Sequence, residues 1–422
     1  MSSPLLRRSV IGWALYDWAN SAFATTVMAA FFPVFFKQYW SAGTDPTLST
    51  FRLGLGNGIA SFAIALLGPL LGAAADRGGA RVKLLSFFTL LGVAMTAGLY
   101  WVEKGDWALA VLVYAIASIG FTGGATFADS LLLDVAEERE LDVVSAYGYA
   151  VGYLGGGLLF AINVWMTVDP KLFGLKDAAA AVRVSFLSVA VWWAVFTLPL
   201  LFWVREKQPA KPLAPLAALR AGWSELWTTL GHIRQYRTLS IFLVAFWLYI
   251  DGVNTVIKMA VDYGLSLGFK AESLITAILI TQFVAFPAAL VFGWIGRRFG
   301  TRTGLLLAIG VYLLTTVWAY WLDTVADFYA MAVVIGLVQG GIQSLSRSFY
   351  GRLVPADKAG EFFGFFGLMG KFAAVVGPVL TGWVALATGS SRLAILSLVV
   401  LFAAGGGLLC FVPEAEARPR AS

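Results

Sequence analysis

Two apolar runs of this sequence each carry an aspartate and, three residues later, an asparagine. Asp17 and Asn20 lie in LYDWANSAFATTV, and Asp251 and Asn254 lie in LYIDGVN. On a helix, positions i and i+3 share a face, so each pair sets a proton-binding carboxylate beside an amide. We expect Asp17 and Asp251 to bind protons reversibly. The alternative is that these carboxylates bond helix ends or neighbouring helices and only fix packing.

The second of these runs continues as a stripe of polar residues. Thr255, Lys258 and Asp262 follow Asp251 at i+4, i+7 and i+11, on one face of an otherwise apolar helix. Ionisable groups inside apolar spans cost several kcal/mol unless they are paired or wetted. We therefore expect two facing stripes, one around Asp17 and one around Asp251, along a water-filled seam. Lys258 could instead neutralise an acid permanently.

Further polar residues recur at helical spacing in two other apolar segments. Asp129 ends one segment, and Gln339, Gln343 and Arg347 share a face in the other. Asp129 and Arg347 could form a gating pair between two halves of the protein, while Lys371 lies near the middle of a later span. We expect this set to contact a small-molecule substrate: Asn20, Asn254, Lys258, Gln339, Gln343 and Lys371. The alternative for the amides is helix packing, and for Lys371 it is neutralisation of a carboxylate on another helix.

These residues must be held by membrane-spanning helices. The 422 residues are 59% hydrophobic and only 13% charged, whereas soluble domains average about 25% charged residues. Long continuous apolar runs favour helices over barrel strands, so we predict an all-α polytopic membrane protein. Windows of about 20 residues predict twelve spans, over 10–36, 52–75, 82–102, 107–134, 143–166, 182–204, 238–262, 272–295, 303–322, 326–350, 361–387 and 392–412.

The distribution of positive charge predicts the topology. Most of the 30 lysines and arginines lie in alternate connections, on the side that holds both termini, which the positive-inside rule places in the cytoplasm. The net charge of +6 reports this topology and gives no reason to invoke nucleic acid. A polar, proline-containing connection predicts six-helix bundles over 1–204 and 238–422, joined by a linker over 205–237.

The two predicted bundles share an internal repeat. GAAADRGGARVK, beginning at Gly72, aligns with GWIGRRFGTRTG, beginning at Gly293, and Arg297 replaces Asp76 in the second copy. We interpret the first copy as a tight turn whose carboxylate is available to basic groups and helix ends of the neighbouring bundle, or alternatively as a basic turn that only fixes topology. The acidic run DVAEERELD, residues 134–142, is interpreted as a solvated loop that could also offer partners to the basic loops.

The repeated halves and the G-x-x-x-D-R-x-G-x-R turn resemble the major facilitator superfamily over the whole chain. YDWANSAFATT, QGGIQSLSRSFYGRLVP and EFFGFFGLMGKFAAVVGPVL are similar to its "unknown major facilitator" branch, which includes a fungal vacuolar amino-acid effluxer linked to autophagy. The resemblance implies alternating access about a central cavity lined by spans 1, 4, 7 and 10. It also implies conformational switching by the first turn, with Asp76, Arg77, Gly79 and Arg81 as gating residues.

We therefore expect a proton-coupled secondary transporter for a small zwitterionic metabolite, with amino-acid efflux as the leading hypothesis. The alternatives are export of drug-like cations or amphiphiles, and a transport-inactive accessory protein or receptor. The metal-binding, nucleophile-elbow and phosphate-loop motifs of enzymes are missing from the sequence, so we expect no catalytic residue, metal or cofactor. We expect a functional monomer in a bacterial inner membrane, with protons, substrate and lipid as its partners.

Overall fold

The computed structural model describes residues 4–44, 48, 49, 52, 54, 67–231, 236–373 and 376–413. Every regular element in these ranges is helical. Lys258 and Asp262 lie in a helix, but their side chains are outside the described part of the chain. We number only the longer helices, in chain order, beginning with α1 at the N-terminus.

The first half of the chain forms six numbered helices. Helix α1 continues through π-helical turns, Phe23–Phe31 and Phe36–Trp40, with a short α-helix between them, Phe32–Phe35. The shorter elements are Pro4–Leu6, Leu99–Trp101, Leu132–Val135, Glu138–Glu140 and Pro170–Phe173. The numbered helices are α1 (Arg8–Ala22), α2 (67–78), α3 (Arg81–Gly98), α4 (Trp107–Ser130), α5 (Leu141–Val168) and α6 (Ala178–Trp203).

The second half begins with a helix in the polar connection and continues with further long apolar helices. Single 3₁₀ turns occur at Ala319–Trp321 and Ala356–Lys358. The helices are α7 (Pro215–Gly231), α8 (Arg237–Ser266), α9 (Ala271–Phe299), α10 (Thr301–Trp318), α11 (Val325–Leu353), α12 (Ala359–Phe372), α13 (Val376–Thr388), α14 (Ser391–Leu396) and α15 (Val399–Leu409).

Eleven helical segments of the described chain are long and apolar enough to cross a membrane. They correspond to eleven of the twelve predicted spans, and the first is longer than predicted, covering Arg8–Trp40. The remaining predicted span, 52–75, lies mostly outside the described residues, and α2 contains its end. The predicted all-helical polytopic fold is therefore confirmed.

The described part of span eleven contains two helices. Helix α12 ends at Phe372 and α13 begins at Val376. Pro378 follows two residues after the start of α13, where a proline that lacks an N–H is tolerated. The sequence windows predicted a single span here. Hydropathy reports the length of an apolar segment and does not show where one helix ends and the next begins.

Both described ends of the chain lie on one face of the helix bundle, which we call the terminal face. The Arg7 side chain pairs with Glu140, just before α5 begins. At the same face, Arg302 Nη1 donates to the carbonyl of Val412 at 3.0 Å. Contacts between Asp142 and Thr301 join these two regions.

Helices α2 and α12 approach each other at glycines on this face. A Cβ added to Gly72 would lie 2.1 Å from the carbonyl oxygen of Gly360. A Cβ on Gly364 would lie 2.7 Å from backbone atoms of Gly68. The two backbones therefore touch, and only residues without side chains fit at these positions.

Candidate functional site

Arg347 on α11 binds acidic and polar groups from three helices of the first half. Its Nη1 donates to Asp129 Oδ1 on α4 at 2.8 Å, and its Nη2 donates to Asp17 Oδ2 on α1 at 3.0 Å. On α5, the Ser145 hydroxyl and carbonyl oxygens accept from Nε and Nη2 at 3.0 and 2.9 Å. The pair that the sequence suggested between Asp129 and Arg347 is present, and Asp17 completes a triad.

The Arg347 guanidinium is also enclosed by aromatic rings. Its central carbon lies 4.6 Å from the ring centroid of Trp13 and 4.3 Å from that of Tyr149. Arg347 is 1% exposed, so its charge depends on these neighbours in place of water. With both aspartates ionised, the triad of Asp17, Asp129 and Arg347 carries one negative charge in excess.

Gly148 on α5 makes room for this triad. A Cβ at this position would lie 2.4 Å from Asp17 Oδ2, 2.8 Å from the Trp13 ring and 2.9 Å from Arg347 Nη2. Real Cβ atoms do not approach other atoms so closely, because packing at these distances is strongly repulsive. A side chain at position 148 would therefore displace at least one member of the triad.

A second cluster at the terminal face centres on Asp142, at the start of α5. Both terminal nitrogens of Arg352 donate to this carboxylate, at 2.9 Å to Oδ1 and 2.7 Å to Oδ2. This bidentate geometry strengthens the pair. The hydroxyls of Thr301 and Ser348 also donate to it. All three donors belong to the second half, so Asp142 ties the halves together.

The first glycine-rich turn makes a third link between the halves. Asp76 accepts hydrogen bonds from the backbone N–H groups of Gly360 and Glu361, both at 2.9 Å, at the start of α12. A carboxylate is favoured there because the first N–H groups of a helix lack intrahelical partners. Arg81 lies behind it, 2.9 Å from Asp134 Oδ2. Gly79 has φ +58°, which glycine adopts without strain.

Glu225 on α7 bridges the two halves outside the membrane-spanning helices. Arg77 Nε lies 2.5 Å from one of its carboxylate oxygens and Lys358 Nζ lies 2.9 Å from the other. Burial acts to raise the pKa of the Glu225 carboxyl, but the hydrogen bonds and charges of Arg77 and Lys358 outweigh it and hold that pKa below its usual value. The bridge is therefore ionised at neutral pH.

Asp251 and Asn254 bracket the break in span eleven. Asp251 accepts from the N–H groups of Val376 and Gly377, both at 3.0 Å, at the start of α13. Asn254 Nδ2 donates to the carbonyl of Ala373 at 3.2 Å, just after α12. These contacts match the helix-end alternative of the sequence analysis. The repeated motif thus has two different surroundings, with an arginine at Asp17 and a helix start at Asp251.

The remaining predicted substrate residues are distributed along the bundle. Gln343 Oε1 accepts from the Tyr153 hydroxyl across the halves at 2.8 Å. One turn away, Gln339 is buried and its Oε1 has no hydrogen-bond partner among the described residues. Asn20 is buried in α1, and Lys371 lies in the last turn of α12. The Lys258 side chain lies outside the described residues.

Sequence reasoning missed Asp142 and Glu225. The interpretation of residues 134–142 as a solvated loop is wrong for Asp134 and Asp142, whose side chains are 3% and 2% exposed. The alternative of partners for basic residues holds instead. The cation that holds Asp142 is Arg352, which the sequence analysis did not pair with any acid.

Comparison with known proteins relates the chain to a family of transporters. A family model described as "Vacuole effluxer Atg22 like" matches residues 47–141 and 133–422. The MFS-type transporter YxiO of Bacillus subtilis is 40% identical over 404 residues, covering 95% of this chain and 94% of YxiO. Autophagy-related protein 22 of Botryotinia fuckeliana is 28% identical over 292 residues, covering 62% of this chain and 48% of that protein.

A solved structure supports the fold independently. The transporter FucP in its outward conformation, itself of the major facilitator superfamily (MFS), aligns with a TM-score of 0.68 and 14% identity, over 98% of this chain and all of FucP. The expectation of a multi-pass membrane transporter, and not an enzyme, is confirmed by these relatives. The chain belongs to the Atg22-like effluxer family, within the major facilitator superfamily.

Proposed function

We propose that this transporter exports a small zwitterionic metabolite, with amino acids as the leading class, in exchange for protons. The observation that supports the proposal best is the triad of Asp17, Asp129 and Arg347, in which one buried guanidinium meets two carboxylates. A site with one excess negative charge inside an apolar bundle favours uptake of one positive charge. A proton or the ammonium group of a substrate supplies that charge.

A proton and a substrate ammonium group compete to compensate the excess negative charge of the triad, which gives exchange a physical basis. When Asp17 or Asp129 is protonated, the triad is neutral and has little affinity for an ammonium group. When both are ionised, a substrate ammonium compensates the extra charge. Proton and substrate then bind alternately, as an antiporter requires. Asp251 already caps α13, so we assign the leading proton-coupling role to Asp17.

The links at the terminal face act as the gate in this proposal. We place this face in the cytoplasm of a bacterial cell, because the positive-inside rule favours it. Opening toward the cytoplasm breaks the bonds of Arg347, Asp142, Asp76 and Glu225 that join the halves. The halves 1–204 and 238–422 then move as two bodies about the linker, as alternating access requires.

Two amide groups on the helix that carries Arg347 suit a zwitterion. Gln339 offers a buried carbonyl oxygen without a partner in the described chain, and Gln343 shares its helix face. Such oxygens accept hydrogen bonds from an ammonium group, and the amide nitrogens donate to a carboxylate. The family description as an effluxer also supports this direction of transport.

The test is exchange by the purified protein in proteoliposomes. Vesicles are loaded with a mixed pool of labelled amino acids, and release is followed with and without an imposed proton gradient. We expect the gradient to accelerate release by the wild type, and Asp17→Asn to abolish the acceleration. The matched control is Glu103→Gln, which removes an exposed acid outside the spans and should behave as the wild type.

Other outcomes separate the alternatives. Equal gradient response in wild type and Asp17→Asn would contradict proton coupling through the triad. Gradient-driven release of a quaternary ammonium dye, without release of any amino acid, would replace the zwitterion by an organic cation. Ligand binding without release of any cargo, by protein that melts as the wild type does, would support the accessory-protein alternative and overturn transport.

A further inference from the structure

Helix α7 has two opposite faces of different character. One face is buried against the bundle and contains Ala218, which is 3% exposed, and Gly222. The opposite face contains four large apolar side chains at i, i+3, i+7 and i+11. They are Leu216, Leu219, Trp223 and Trp227, which are 63%, 40%, 53% and 58% exposed.

This outward face is unusual for a helix in water. A surface helix normally turns its apolar stripe toward the protein and its polar residues toward solvent. In α7 the small residues pack inward, while Trp223 and Trp227 pack edge to face with each other at a centroid distance of 5.8 Å. Contiguous exposed apolar surface of this kind marks a contact with a partner or a membrane.

The position of α7 beside a predicted span indicates that the partner of its outward face is the membrane. A Cβ on Gly222 would lie 2.7 Å from the backbone nitrogen of Ala74, so α7 touches the last turn of the predicted span 52–75. The N–H of Leu213, just before α7, also donates to the carbonyl of Arg77 at 3.1 Å. Helix α7 therefore lies beside the end of the predicted span 52–75, where we expect that span to leave the hydrocarbon.

The composition of the face fits the same place. Tryptophan is enriched at membrane interfaces because its ring is apolar and its N–H is polar. Arg220 is exposed on the same face, between Leu219 and Trp223, where its guanidinium can reach lipid phosphates while its stem covers apolar surface. Interfacial helices combine these residue types.

We infer that the outward face of α7 binds the lipid headgroup region of the leaflet at the terminal face, with anionic phospholipid at Arg220. Under the proposed orientation this is the inner leaflet. The same helix carries Glu225, which bridges Arg77 and Lys358 on its inward side. Lipid at α7 thus holds in place the helix that links the two halves. The inference is independent of the cargo.

Site-directed spin labelling tests this contact. Cys410 is the single cysteine, so Cys410→Ser gives a background for Trp223→Cys, Trp227→Cys and the control Ser224→Cys. Ser224 is also exposed but lies off the apolar stripe. In vesicles of phosphatidylcholine and phosphatidylglycerol, we expect labels at 223 and 227 to collide with oxygen more than with a water-soluble nickel chelate. The label at 224 should show the opposite preference.

Two results would overturn the inference. Nickel collision at 223 and 227 equal to that at 224 would mean that the face lies in water. Labels at 223 that are shielded from both reagents, with spin–spin broadening that grows with the protein-to-lipid ratio, would mean that a second copy covers the face. Each labelled variant must first elute and melt as the cysteine-free background does.

The role of Arg220 has a separate readout. In the Trp223→Cys background, replacing phosphatidylcholine by phosphatidylglycerol should move the label deeper, seen as a higher ratio of oxygen to nickel collision. Arg220→Gln should remove this dependence on lipid charge while leaving the label in the membrane. A dependence that persists in Arg220→Gln would contradict the assignment of anionic lipid to Arg220.

Discussion

Arg347 Nη2 lies 3.0 Å from Asp17 Oδ2, although the two residues are 330 positions apart in the chain. The bond joins the first span to the tenth and therefore joins the two halves. It is also a bond between charges that are removed from bulk water, so each partner is costly without the other. In the proposed mechanism, this contact links the protonation of Asp17 to the separation of the two halves.

Removing the arginine should destabilise the protein strongly. In Arg347→Gln, two partly buried carboxylates lose their counter-charge, and breaking a fully buried pair in this way costs about 3–5 kcal/mol, which sets the upper limit here. We expect a lower melting temperature in detergent and no gradient-driven release. The triple variant Arg347→Gln/Asp17→Asn/Asp129→Asn removes all three charges, and it should recover most of the thermal stability without recovering coupling. A triple variant as unstable as Arg347→Gln would show that charge balance is not the cause.

Adding one methyl group beside the triad should impair transport. Gly148→Ala places a Cβ within 2.4 Å of Asp17 Oδ2, so the carboxylate must move away from Arg347. We expect gradient-driven release to fall toward the level of empty vesicles. Gly310→Ala is the control, because a Cβ there meets nothing within 4 Å and alanine favours a helix by about 1 kcal/mol. Equal release by the two variants would mean that the triad tolerates displacement.

Asp251 and Asp17 should respond differently to the same substitution. Asp251→Asn weakens the cap on α13, and loss of a cap costs about 0.5–2 kcal/mol. We expect a lower melting temperature with gradient stimulation retained, whereas Asp17→Asn should lose the stimulation. Melting curves and release assays on the two variants in parallel check this. Loss of gradient stimulation in a stably folded Asp251→Asn would return Asp251 to the proton path.

Breaking the Glu225 bridge should favour opening of the terminal face. Glu225→Gln removes two ion pairs, and exposed pairs contribute about 0.2–1 kcal/mol each. A loss of about 1 kcal/mol raises the ratio of open to closed protein about fivefold. Distances between spin labels at Lys83→Cys and Arg298→Cys, both exposed, measure this ratio in the cysteine-free background.

The effect of Glu225→Gln on the ratio of open to closed protein should not depend on pH near neutrality. The pKa of the Glu225 carboxyl is lowered in the closed state, so its stabilisation is present above the ordinary glutamate pKa and is lost only as pH falls through the lowered value. The distance distributions of wild type and variant should therefore differ equally at pH 6 and pH 8. A difference that vanishes at pH 6 would mean that the bridge is already protonated there.

The sequence predicted the fold well because hydropathy and charge asymmetry can be read from short segments, without knowledge of tertiary contacts. Eleven of the predicted spans correspond to helices of the described chain. The pairing of Asp129 with Arg347 was also accessible, since the two opposite charges lie one position apart when the two halves are aligned. Such inferences need only helical periodicity and the cost of burying a charge.

The partners of Asp251 and Asp142 could not be predicted in the same way. A hydropathy window does not reveal that a helix begins at Val376, so the sequence allowed a helix end as the partner of Asp251 without showing which one. The acidic run that contains Asp142 has the composition of a solvated loop, and only the tertiary approach of Arg352 changes its role. Both are contacts between segments far apart in the chain, which local pattern does not encode.

The glycine contact between α2 and α12 determines which interactions must break when these two helices separate. At Gly72 and Gly360 the backbones touch directly, so no side chains must unlock from each other before the surfaces part. The directional bonds that we describe across this contact are the two from the α12 N–H groups to Asp76. Separation of α2 from α12 therefore requires the Asp76 hydrogen bonds to break, while the glycines present no interlocked side chains to hold the two helices together.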